Sequence, residues 1–187
     1  MKINEIFYSL QGEGEHTGKP AVFVRFAGCN LKCDFCDTDF VSYTEMSEED
    51  IVSAVLEYPA NIVILTGGEP TLQLTSSLLQ KLSDAKRQVH IETNGTKQLP
   101  EGPINWVTCS PKYATLHIHL IDELKVVYQE QDMSQYDGIE AKVYSLQPCE
   151  TGNPTKNQEI LQKTINYILQ HPKWKLSLQT HKIINVK

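Results

Sequence analysis

Residues 61–70 read NIVILTGGEP. Asn61 opens a short apolar run rich in Ile and Val. The run stops at Gly67 and Gly68, with Pro70 just beyond. A run of this length, bounded by turn residues, has the signature of a buried strand. The residues after the strand are polar. The same succession recurs along the chain: ETNG comes after QVHI (88–91), SPK after NWVTC (105–109), LQPCE after AKVYS (141–145), and LQTHK closes KWKLSL (173–178). Two further strands are predicted at 21–26 (AVFVRF) and 123–127 (ELKVV). Helical spacing fills some of the intervals. The stretch 47–58 opens with Ser47, carries Asp50 three residues on, and is stopped by Pro59; 71–86 comes after Pro70, and 155–170 is closed by Pro172. Strands alternating with helices imply an α/β fold with a mainly parallel sheet. In such a sheet the strand C-termini share one rim, where sites are assembled. Five polar motifs would then face one cavity.

A complete eightfold barrel takes about 250 residues. This chain has 187, and 91–105 leaves hardly any room for a helix. The expectation is one domain over 1–187, folded as a partial, trimmed (β/α) barrel or a strongly curved open sheet. The net charge of -6 argues against a general nucleic-acid or membrane-surface binder, because no dominant positive field exists. A small anionic substrate held by a local Arg or Lys stays compatible with it. No apolar run reaches the length of a membrane span. The N-terminal MKINEIFYSLQGEG lacks the apolar core of a signal peptide, so the expected setting is cytoplasmic.

Three of the five cysteines fall in GCNLKCDFCDT, 28–38, as Cys29, Cys33 and Cys36 with the spacing C-x3-C-x2-C. In a reducing compartment such spacing points to metal or catalytic chemistry before disulfides. Thiolates favour zinc, Cu(I) and iron–sulfur clusters. A closed zinc site would need a fourth ligand, from Cys109, Cys149 or His16. Alternatively, the thiols carry no metal. A four-iron cube held by three thiolates would leave one iron open to a small molecule, so that the missing ligand becomes the functional feature.

The cysteine spacing with TGGEP downstream resembles the radical S-adenosylmethionine superfamily. The resemblance implies a [4Fe-4S] cluster on Cys29, Cys33 and Cys36, whose open iron takes the amino and carboxylate groups of S-adenosylmethionine. Reduction of the cluster then cleaves the sulfonium to a 5′-deoxyadenosyl radical. Gly67 and Gly68 allow close backbone approach. Glu69 is expected to accept from the methionine ammonium.

The stretch EIFYSLQGEGEHTGKPAVFVRFAGCNLKCDFCDT, with TGGEP, ETNG, SPK, LQP and LQTHK, is similar to the 7-carboxy-7-deazaguanine synthase family over most of the chain. That similarity implies ring contraction of 6-carboxy-5,6,7,8-tetrahydropterin with loss of ammonia. It implies no catalytic side chain beyond cluster and cofactor. Substrate contacts are expected from Leu10, Gln11, Gly12, Glu13, Arg25, Thr66 and Lys187. Cofactor contacts are expected from Phe35, Cys36, Asp37, Gly68, Glu69, Ser110, Pro111, Lys112, Gln147, Pro148, Cys149 and Glu150. Thr38 matches a Mg2+ ligand. A homodimer and an electron donor such as flavodoxin or ferredoxin are implied as well. The tail IINVK departs from the Gly- or Pro-containing ending of the family, which weakens the case for Lys187. Cys109 reads as a buried strand residue, His16 as exposed, His117 and His119 as surface histidines, and Trp106 and Trp174 as packing groups. Two other functions share parts of the pattern: a small radical activase that makes a glycyl radical on a partner protein, and a non-catalytic zinc module. SLQGEG and CDT speak against the activase, which needs neither a pterin pocket nor a magnesium hydroxyl.

Overall fold

The computed structural model describes residues 1–36, 41–112 and 115–187. Asp37 and Thr38 lie outside the described residues. The sheet is built on strands β2 (Pro20–Phe26), β4 (Ile62–Gly67), β5 (Gln88–Thr93), β6 (Trp106–Cys109), β7 (Glu123–Tyr128), β8 (Val143–Pro148) and β9 (Trp174–Leu176), each parallel to the next. Strand β1 (Lys2–Leu10) pairs antiparallel with β2 and with the two-residue β3 (Thr44–Glu45). The order β3-β1-β2-β4-β5-β6-β7-β8-β9 leaves the two ends unpaired with each other, so the barrel is partial. The expected architecture is the observed one.

Alternation along the strands separates two faces. Val22, Val24, Val63, Leu65, Val89 and Ile91 are aligned in register and fully buried. They pack with Ile51 and Val55 of α1 (Glu48–Leu56) and Leu78, Leu79 and Leu82 of α2 (Ser76–Asp84). Val107, Leu124, Val126, Leu146 and Trp174 continue this apolar layer, with Tyr167 and Ile168 of α3 (Pro154–Gln170) against it. The alternate positions form the inner face, where Ala21, Phe23 and Ile64 make a small apolar cluster with Phe7 and where Arg25, Thr66, Glu92, Thr108, Lys125 and Gln147 bring polar groups to a cavity.

Several predicted boundaries move. Strands β1 and β3 and the short helix α4 (Thr180–Ile183) were not expected from the pattern. The predicted helix 71–86 divides into a 3-10 turn, Pro70–Leu72, and α2. The side chain of Thr75 accepts from the Leu78 amide and restarts the helix, while Gln73 Nε2 donates to the Ala27 carbonyl at 2.8 Å. Glu92, Thr93 and the Leu146–Pro148 segment lie within β5 and β8 rather than beyond them.

The gap between β9 and β1 is spanned by the loop 11–19 and the segment after β9. The Gly14 amide donates to Ser177 Oγ at 2.9 Å, the Glu15 amide to Glu123 Oε1 at 3.0 Å, and the Thr180 amide to the Gly12 carbonyl at 2.9 Å. Lys175 pairs with Glu15. Gly12 must lack a side chain here, since a Cβ would stand 2.1 Å from His181 Nδ1. Among the described residues no helix is long and apolar enough to cross a membrane.

Candidate active site

The inner face and the strand C-termini enclose a cavity of about 640 Å³. Its rim is formed where the cysteine loop meets the turn after β4. The Gly68 amide donates to the Phe26 carbonyl at 3.0 Å and the Glu69 amide to the Gly28 carbonyl at 2.9 Å. Gly67 has φ +142°, and a Cβ on Gly68 would lie 2.1 Å from the Gly28 carbonyl oxygen. Only glycine lets the two backbones approach this closely. Asn30, between Cys29 and Cys33, exchanges hydrogen bonds with the ETNG turn: Asn94 Nδ2 donates to Asn30 Oδ1 at 3.1 Å, and Asn30 Nδ2 to Thr96 Oγ1 at 2.7 Å. Three motifs far apart in sequence are therefore joined at one edge.

Cys29, Cys33 and Cys36 line this edge, the first two half-buried and the third exposed, and all are free thiols. Burial pushes the Cys29 and Cys33 thiols up; Lys112 pulls Cys33 back. Lys112 Nζ donates to Ser110 Oγ at 2.8 Å and stands 5.5 Å from the centre of the Phe35 ring. Among the described residues no three His, Cys, Asp or Glu side chains converge as a ligand set for one ion. Cys109 is buried in β6, its thiol pushed up to about 12 by burial. His16 is half-buried rather than exposed, its ring 4.6 Å from that of Trp106 and 4.7 Å from that of His90. Thiols spaced around a rim suit a multi-iron cube, which separates its sulfurs more widely than a single tetrahedral ion does. The donor set and the glycine cradle beside it fit such a cluster with a small ligand on its open side.

The side chain of Glu69 is turned inward behind this rim. It is wholly buried and does not line the cavity. Its Oε1 accepts from the Thr71 amide (3.1 Å), Thr71 Oγ1 (2.6 Å) and Thr93 Oγ1 (2.8 Å), and its Oε2 from the Asn94 amide (2.7 Å). The geometry gives this carboxylate the task of locking TGGEP to ETNG. Pro111 is likewise buried outside the cavity lining.

The structure places the other expected residues in the wall: Leu10, Gln11, Gly12, Glu13, Arg25, Thr66 and Lys187 together with Phe35, Gly68, Ser110, Lys112, Gln147, Pro148, Cys149 and Glu150. Arg25 Nε donates to Glu5 Oε1 at 2.9 Å, and its guanidinium lies 5.7 Å from the centre of the Phe7 ring. Phe7 stacks on Phe23 at 4.9 Å. Lys187 pairs with Glu5, its ammonium 4.8 Å from the centre of the Phe7 ring. Burial works to raise the Glu5 carboxyl, but Lys187 and Arg25 hold it below its usual value.

Glu92, Gln179 and His181 were brought to the cavity by the sequence only as members of ETNG and LQTHK, and Glu5, Phe7 and Lys125 were missed. Lys125 was within reach, being a charged residue inside an apolar strand run. Lys125 Nζ donates to Glu13 Oε2 at 2.7 Å. Burial would raise the Glu13 carboxyl, yet the ammonium of Lys125 and a hydrogen bond from Gln179 hold it down to about 2. Cys149 is buried at the cavity edge; His117 and His119 are exposed; Trp174 is buried against Tyr144.

The model of the Radical SAM superfamily matches residues 23–123. A 7-carboxy-7-deazaguanine synthase of Bacteroides thetaiotaomicron is 54% identical over 187 residues, covering 100% of this chain and 98% of the relative. A 7-carboxy-7-deazaguanine synthase of Bradyrhizobium diazoefficiens is 36% identical, covering 99% and 98%. Among solved structures, the crystal structure of QueE from Escherichia coli superposes with a TM-score of 0.82 at 30% identity, over 96% of this chain and 94% of that one.

Proposed function

The chain belongs to the radical SAM superfamily and, within it, to the 7-carboxy-7-deazaguanine synthases, and from that premise we propose that it converts 6-carboxy-5,6,7,8-tetrahydropterin to 7-carboxy-7-deazaguanine and ammonia, in 7-deazapurine and queuosine biosynthesis. The observation that carries this reading is the meeting of three free cysteines with the Gly67–Gly68 turn at the rim of one cavity whose inner wall carries polar groups. Cys29, Cys33 and Cys36 would hold a [4Fe-4S] cluster. When bound, the reduced cluster with S-adenosylmethionine supplies a carbon radical able to take a hydrogen atom from a substrate.

The residues of the chain bind and orient. Gly68, Ser110, Lys112, Gln147 and Phe35 surround the space next to the cysteines, where S-adenosylmethionine would lie. Arg25 is the carboxylate-binding candidate: its planar fork suits a substrate carboxylate, which would compete with Glu5 for it. Phe7 and Phe23 give the ring an apolar floor. Thr66, Gln11 and Glu13 offer polar atoms at its edge. Contacts on several sides of the ring would hold the reacting carbon in one orientation. A Mg2+ ion on Thr38, a homodimer, an electron donor and a cytoplasmic setting belong to the same reading on the strength of the family resemblance.

The test is anaerobic reconstitution with iron and sulfide, then electron paramagnetic resonance of the reduced protein with and without S-adenosylmethionine. A cluster spectrum altered by the cofactor is expected. It should vanish in Cys29→Ala, Cys33→Ala and Cys36→Ala and persist in Cys109→Ala and Cys149→Ala. A colourless protein that takes up one zinc ion instead would overturn the reading.

A further inference from the structure

The inner wall carries a charged trio of which the proposed function uses Glu13 alone. Lys125, on β7, has a side chain only 5% exposed. Its ammonium lies 2.7 Å from Glu13 Oε2 and 3.6 Å from Glu92 Oε2. The trio is clamped from the sides. Gln147 Nε2 and Gln179 Nε2 donate to Glu13 Oε1 at 3.1 and 2.9 Å, and Gln11 Nε2 donates to Glu92 Oε1 at 2.7 Å. Both oxygens of Glu13 are thereby engaged. Glu92 is the more open carboxylate, 24% exposed against 18% for Glu13.

We propose that Lys125 is a positioning residue for the pterin: seated between Glu13 and Glu92, it offsets the charge of the pair and orients Glu92 so that this carboxylate accepts hydrogen bonds from the 2-amino-4-oxopyrimidine edge of the substrate. The proposal rests on the pterin reading of the cavity. Two carboxylates brought together in a buried wall cannot both ionise without a cation between them; one of them takes up a proton. Lys125 removes that conflict with one charge against two, leaving the wall with an excess of acceptors. The ring edge in question presents an exocyclic amino group beside a ring N–H, two parallel donors that match the two oxygens of a carboxylate. A 2-oxo ring would turn a carbonyl toward the same oxygens and be refused. The other charged groups facing the trio are Glu123 on β7, Lys112 after β6 and His181 of α4. Burial disfavours the Lys125 ammonium, but Glu13 and Glu92 hold it charged well above the ordinary lysine range.

The experiment is calorimetric titration of reconstituted protein, without S-adenosylmethionine, using 6-carboxypterin and its 2-oxo counterpart 6-carboxylumazine. Native protein should prefer the pterin by about ten-fold or more, with an affinity that does not change between about pH 6 and pH 8. Lys125→Met should bind the pterin about ten-fold or more weakly at the acid end and recover as the pH rises, because the uncompensated carboxylates ionise only then. Lys125→Arg, which keeps the charge, should keep the flat profile. Glu92→Gln, with Lys125 intact, should lose the preference for pterin over lumazine. A Lys125→Met protein that binds like the native one at every pH overturns the proposal, as does an undiminished pterin preference in Glu92→Gln. The latter variant decides the matter if Lys125→Met does not fold. Native protein that binds neither ligand would remove the pterin reading itself.

Discussion

A single buried carboxylate, Glu69, ties two motifs of the site together. Four donors from Thr71, Thr93 and Asn94 converge on it. Replacing one oxygen by an amide group in Glu69→Gln turns a donor toward donors. The expected cost is about 1–3 kcal/mol of stability, measurable by urea unfolding of cluster-free protein. Unchanged stability would contradict this locking role. At Glu13 the effect is one of pH. Its carboxyl is held at about 2, against an ordinary value of 4.5. A depressed carboxyl contributes stability that is full above 4.5 and is lost as the pH falls toward 2. Lys125, whose ammonium is favoured in the fold, contributes below its ordinary value of 10.5 and loses that contribution only as the pH rises through its higher folded value. The stability gap between native protein and Glu13→Gln should therefore be constant near neutrality and narrow on acidification below 4.5. A gap that widens there would contradict the ion pair.

Helix α1 is the element most fully legible in the sequence. Ser47 and Asp50 exchange both bonds of a capping box, with the Asp50 amide 3.1 Å from Ser47 Oγ and the Ser47 amide 3.1 Å from Asp50 Oδ2. Ser47→Ala should cost about 1 kcal/mol without altering cluster content or turnover, read by thermal unfolding beside iron analysis. The parallel strands were legible for a related reason: their helix-facing positions are apolar, so the runs announce themselves. Strand β1 was not. Its cavity-facing residues Glu5 and Phe7 mix charge with aromatic surface, and its pairing with β2 shifts register between Ile3 and Glu5, which breaks the period of two. The ends of β5 and β8 were read as loops for the same cause, since Glu92, Thr93 and Gln147 are polar strand residues that face a site or a buried carboxylate. Of the site, the motif residues were legible because their spacing is distinctive. Lys125 stood out only as a charge inside an apolar run, which gains meaning once its partner across the barrel is known.

At the scale of the whole molecule, an open sheet becomes a closed site because two loose segments bridge its gap. The loop 11–19 reaches Ser177 and Glu123, and the C-terminal segment returns across it to Gly12 and, through Lys187, to Glu5. Removing residues 178–187 should leave the iron content intact, speed amide exchange in 11–19, and abolish turnover; retained turnover would show that the gap needs no closure. In the proposed enzyme a radical-generating rim stands above a pterin-binding wall in one cavity. The measurement that tests this most directly is product analysis by mass spectrometry. Reconstituted, reduced protein is incubated with S-adenosylmethionine, Mg2+ and 6-carboxy-5,6,7,8-tetrahydropterin. The predicted result is 7-carboxy-7-deazaguanine and an equal amount of ammonia, formed over many turnovers with S-adenosylmethionine not consumed in proportion. Accumulation of 5′-deoxyadenosine with no deazapurine, while a partner protein acquires a glycyl radical, would contradict it.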